Sequence, residues 1–194
     1  TNVRSIISYN TDSKIIPTVR SNGDLMAQII GKGGLISGQS SVVQLDAWNW
    51  EDAAYKKDQG IFLNWPYPNF NGRERSQEER REDTYLKDVK SLQDYFSEAL
   101  AYNANPDITE MHMGYEAMRG LWTGTKTLYI RVQHAKSIVQ AVQFAQKFNL
   151  KPVLVDANEA MKVSSFLKEN DISLLLGRTH NLPFSADEDI DMPY

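Results

Sequence analysis

The sequence predicts an α/β fold built on parallel strands, with one long amphipathic helix added outside the sheet. Three observations predict it. Between residues 127 and 176, short β-branched or leucine-rich runs alternate with amphipathic helical stretches, a βαβαβ pattern. Residues 73–103 carry Leu86, Val89, Leu92, Phe96 and Leu100 at helical spacing. A chain of 194 residues, 41% apolar and 24% charged, holds apolar material for one compact core, so residues 1–194 read as a single domain.

In chain order, residues 13–22 read as a helix stopped by Asn22 and Gly23, although Pro17 falls inside it and works against it. A strand at 25–30 and shorter strands at 41–45 and 60–64 follow. The long helix comes next. Its first part, residues 73–90, has six basic and six acidic side chains that can pair at one-turn spacing, which predicts a solvated face. The strand at 127–132 leads into a helix with Ala135, Ile138, Val142 and Ala145 on one face, ended by Asn149. A strand at 152–156, an N-cap at Asn158, a buried stripe of Ala160, Val163, Phe166 and Leu167, and a strand at 172–176 complete the unit. Strand starts separated first by 25 and then by 20 residues, with helices between them, imply parallel strands and crossover connections.

The totals remove several function classes. A formal net charge of −4 and a pI near 5.4 give no electrostatic reason to expect nucleic acid or an anionic membrane as a partner. No apolar run approaches the roughly 20 residues that span a bilayer. With no cysteine, disulfides, thiolate nucleophiles and zinc-thiolate sites are absent, and the compartment stays undecided. Thr1 in place of an initiator Met leads us to expect a processed or truncated chain.

Two sets of residues could carry chemistry. Residues 31–41 hold four glycines and three serines directly after a strand, and read as a tight loop. Its Gly34, Ser37, Gly38, Gln39 and Ser40 could line a small-molecule pocket through backbone N–H groups. The spacing is not that of a phosphate loop, and Gly38-Gln39-Ser40 lacks the elbow of a serine nucleophile. The second set lies just past the ends of the parallel strands, where α/β folds build their sites: Arg131, Gln133 and His134, then Asp156 and Asn158, then Arg178 and His180. His134 and His180 could each act as a base or ligand, or stand as plain loop histidines. His112, in a Met-rich helical segment, reads as packing or solvated.

Three stretches resemble the amidohydrolase superfamily, specifically the imidazolonepropionase-like metal-dependent hydrolases. They are Arg20-Ser-Asn-Gly23 running into Gly33-Gly-Leu-Ile-Ser-Gly-Gln-Ser-Ser-Val-Val43, then Ala135 through Phe148-Asn-Leu-Lys151-Pro-Val-Leu-Val155, then Asn158-Glu-Ala160 through Leu176-Gly177. The resemblance implies a partial (β/α)8 barrel, the first and last barrel strands lying outside this chain. Such hydrolases bind one or two divalent metals, zinc or iron, through a His-x-His pair after the first strand, a His on each of the fifth and sixth strands and an Asp on the eighth. At the two central positions this chain places Arg131 and Asp156. A guanidinium stays protonated and offers no lone pair, so the resemblance implies a degenerate metal site, no metal in this chain, and an ion pair between Arg131 and Asp156.

Three functions follow as expectations. One is a catalytically altered barrel section with reduced or no hydrolase activity, self-associating or working beside an active relative. Another is an authentic hydrolase of cyclic amides or other C–N bonds, its metal held by residues outside this chain with help from Asp156 and His134. The third is a small-molecule binding module built on residues 31–41.

Overall fold

The computed structural model describes residues 1–67, 75–105, 107 and 110–177, the side chains of residues 75–83 excepted. Among these residues, six strands form one sheet in chain order: β1 (Met26–Ile29), β2 (Ile36–Gln44), β3 (Ala54–Asn64), β4 (Thr127–Arg131), β5 (Pro152–Val155) and β6 (Ser173–Leu175). The pairs β4 with β5 and β5 with β6 are parallel, as the βαβαβ pattern predicts, and β3 joins them in parallel with β4. The sheet curls as part of a (β/α) barrel does. Its opening departs from the parallel expectation, because β2 runs antiparallel to both β1 and β3. Short connections explain this: the 45–53 segment is too short for the crossover that a parallel pair needs.

Among the described residues, six α-helices pack around the sheet: α1 (Ile16–Ser21), α2 (Trp50–Ala53), α3 (Arg75–Ala104), α4 (Met113–Trp122), α5 (Ala135–Lys147) and α6 (Ser164–Glu169). Pro17 settles where α1 begins. It sits in the first turn, where its missing N–H costs nothing, so the helix starts at Ile16 rather than residue 13. Asn149, at φ 57°, ends α5 as expected, with Leu150 N–H donating to Ala145 O at 3.0 Å. The stretch after Asn158 begins as a 3₁₀ turn (Ala160–Val163), and only then becomes α6.

Alternate residues of the parallel strands take opposite faces. Ile61, Leu63, Leu128, Ile130 and Leu154 are buried in the main core, which also takes in Leu92, Phe96 and Ala99 of α3 and Ile138, Ala141, Val142 and Phe144 of α5. Leu86 and Leu100 of the predicted α3 stripe remain exposed. A smaller core of Ile6, Val43, Leu45 and Ala53 lies under the antiparallel strands. No described helix is long and apolar enough to cross a membrane.

The largest correction concerns residues 31–41, read from composition as a loop. Residues 36–44 are β2, a nine-residue strand paired on both sides. Gly38, at φ 115°, takes a conformation that other residues resist, and a Cβ there would overlap Val3 O of the amino-terminal segment. The glycine admits a close backbone crossing inside a strand, with Gln39 N–H donating to Val3 O at 2.8 Å. Arg178, His180 and the acidic residues after 185 lie outside the described residues, as do the side chains of most of the 73–90 charge run.

Candidate functional site at the strand ends

The carboxyl ends of β3, β4 and β5 form one rim. Register places Asn64 beside Arg131, and Arg131 beside Val155, with Asp156 next. The expected ion pair is present: Arg131 Nε donates to Asp156 Oδ2 at 2.9 Å. The two side chains are 42% and 34% exposed, so the pair contributes little to stability and much to orientation. The Arg131 guanidinium also lies over the Phe62 ring, 5.1 Å from its centre. Asp156 holds φ 57°, a conformation that aspartate tolerates better than most residues. Gly177 passes so close that a Cβ there would sit 2.9 Å from Asp156 Oδ1.

His134 stands one step further round the rim as the N-cap residue of α5, but its side chain makes no cap hydrogen bond. Glu159 does that instead, accepting from Ala135 N–H at 2.7 Å while Lys162 donates to its other oxygen at 2.8 Å. His134 Nδ1 is 3.9 Å from Glu159 Oε2, beyond hydrogen-bond reach, and its ring stacks on Tyr67 with centroids 4.6 Å apart. Burial acts to raise the Glu159 pKa, yet Lys162, the Ala135 N–H and His134 together outweigh it and hold the carboxyl below its usual value. A depressed carboxylate adds stability above its unfolded pKa and loses it as pH falls through the folded one. Glu159→Gln should therefore be less stable than the parent at about pH 7, with the difference closing below about pH 4; urea unfolding at both pH values measures it.

The five residues of the glycine-rich candidate site lie along β2 and in the turn before it. Gly34 lies in the turn before β2, and its carbonyl accepts from Asn64 Nδ2 at 2.8 Å. Ser37, Gln39 and Ser40 are buried strand residues with internal partners. Ser37 Oγ accepts from Asn64 Nδ2 and donates to Gly33 O, Ser40 Oγ accepts from Gln28 Nε2, and Gln39 Oε1 accepts from Lys126. Burial lowers the Lys126 pKa, and its ammonium also donates to Ala117 O at 2.7 Å, tying β2 to α4 away from the rim. His112 caps α4, its Nδ1 accepting from Tyr115 N–H at 3.2 Å.

Sequence reasoning missed Phe62, Asn64, Tyr67 and Glu159. Asn64 was open to it, since the strand-end rule that selected Arg131 and Asp156 selects Asn64 on β3 as well. The Glu159 role had no such signal, because it caps a helix that begins 24 residues earlier.

The whole arrangement superposes on the crystal structure of an amidohydrolase from Thermotoga maritima MSB8 with a TM-score of 0.81. The fold is amidohydrolase-like. The superposition covers 95% of this chain and 50% of that one at 18% identity, so the chain spans half the length of its amidohydrolase neighbour, and the likeness concerns the fold alone. No protein-family model matches the sequence, and no curated protein does.

Neither Arg131 nor the Asp156 Oδ2 that it holds is free to ligate a divalent metal. Arg131 supplies only N–H donors, and the Asp156 carboxylate is engaged by one of them. Among the described residues, no group of three or more His, Asp or Glu side chains converges.

Proposed function

We propose that this chain is the central section of an amidohydrolase-like barrel whose metal centre is replaced by a salt bridge, leaving hydrolase activity reduced or lost. The observation that carries the reading is the hydrogen-bonded pair of Arg131 and Asp156 at adjacent strand ends. By the resemblance these are the two positions where hydrolases of this superfamily place histidine ligands. A fixed cation there repels a divalent ion, and its planar N–H groups give the neighbouring carboxylate the contacts a metal would otherwise make.

Metal analysis of the purified protein, together with zinc titration, tests this. The parent should hold zinc and iron well below one equivalent. Replacing both residues, Arg131→His with Asp156→His, should raise zinc affinity by at least about tenfold, because two neutral imidazoles then face each other across adjacent strands. Stoichiometric metal in the parent, lost in Asp156→Ala along with hydrolysis of a cyclic amide, would establish the rival reading of an authentic hydrolase in which Asp156 and His134 take part.

A further inference from the structure

The geometry points to Arg131, with Asn64 beside it, as a binding site for a small carboxylate that carries an N–H or O–H group next to its carboxyl. This rests on the reading of Arg131 as the replacement for a metal ligand, and names what the altered site recognises.

Among the described residues, only one nitrogen of the guanidinium has a hydrogen-bond partner. Nε is held by Asp156, Phe62 lies under the plane, and both terminal Nη groups are without a hydrogen-bond partner among the described residues. The guanidinium is therefore oriented in advance by two contacts, which lowers the entropy lost when it binds. Two adjacent N–H donors on a planar cation match the two oxygens of a carboxylate. Asn64 adds the complementary half. Its Nδ2 donates to Gly34 O and Ser37 Oγ, both at 2.8 Å, and the carbonyl partner fixes which end of the amide is nitrogen. Oδ1 is left as an acceptor with no partner among the described residues, one strand away from Arg131 and in register with it. Donors on Arg131 and an acceptor on Asn64 thus suit a carboxylate with a neighbouring donor. The buried Phe62 and Tyr129 rings, stacked at 6.3 Å on β3 and β4, give the strands beneath this rim an apolar character. Asp156 limits the affinity, because its charge opposes an incoming anion while its oxygen positions the cation that receives it.

N-acetylglycine is the probe, and N-acetylglycinamide, its uncharged amide, is the control. Each is titrated to about 20 mM into the ¹⁵N-labelled 194-residue chain, following the Arg131 Nε–H signal by NMR; an exposed single-arginine site is expected to bind in the millimolar range. The carboxylate should give a saturable shift and the amide none. Arg131→Gln should abolish binding, and Asn64→Ala should weaken it severalfold. Asp156→Asn keeps an oxygen to orient Nε but removes the opposing charge, so it should tighten binding severalfold, an outcome a purely structural pair would not give. Equal shifts from acid and amide, no saturable shift, or unchanged binding in Arg131→Gln overturns the proposal. Metal content of the same samples separates the two ideas: a metal-free chain that ignores N-acetylglycine defeats this inference alone, whereas a stoichiometric metal defeats the reading beneath it.

Discussion

Phe96→Ala should lower the free energy of unfolding by about 3–5 kcal/mol, the range for removing a large aromatic side chain from a core that cannot collapse around the gap. Phe96 is fully buried and joins two layers. Its ring meets Phe144 at 5.0 Å in an edge-on arrangement and Phe148 at 5.4 Å, and Phe144 meets Trp65 at 5.4 Å. These four rings link α3, α5 and the end of β3, so their mutual support is rigid. Trp65 directly follows Asn64, and loosening the cluster should therefore also broaden the NMR signals of Asn64 and Arg131. Urea unfolding followed by circular dichroism gives the energy, and a loss below about 1 kcal/mol would show that α3 is not part of the cooperative core.

Among the described glycines, Gly38→Ala should be the most damaging single-methyl change. The φ of 115° alone costs a non-glycine residue about 1–3 kcal/mol. The added methyl must also displace Val3 O, a backbone atom fixed by its bond from Gln39 N–H. Gly33→Ala is the matched control: its φ is 88°, but nothing lies within 4 Å of the new methyl, so it should lose only the conformational part. If thermal melts place the two variants within about 1 °C of each other, the crossing of Val3 over β2 carries no weight in stability.

These two positions show how far sequence alone reaches. Phe96 lies on a helical stripe, and period-3.6 spacing reports burial from residues only a turn apart, so the helix and its inward face are legible. The parallel half of the sheet is legible for the same reason: each of its strands is a short apolar run bounded by a helix of clear periodicity. The pair of Arg131 and Asp156 follows directly, since neighbouring parallel strands bring their end residues side by side. Gly38 is the opposite case. A run of glycine and serine signals a turn in most chains, and what makes this one a strand is its pairing with β1 and β3, which leaves no local periodicity in the run itself. The early part of β3 hides for a related reason: Tyr55, Lys56 and Lys57 face solvent, and Asp58 at φ 52° interrupts the alternation that marks a strand. Glu159 escapes because its partner is the start of another helix, which only the packed βα units bring within reach.

The direction of β2 sets the smallest portion of the molecule able to carry the rim intact. A piece cut from residue 127 onward would retain Arg131 and Asp156, which lie 25 positions apart on one crossover unit. It would lack the aromatic platform of Phe62 and the amide of Asn64, which arrive from β3. The Asn64 amide in turn takes its orientation from Gly34 and Ser37 at the beginning of the strand running the other way. Dissection into autonomous modules is therefore ruled out by architecture: the hairpin and the crossover units each own part of the mouth, and neither half frames it alone.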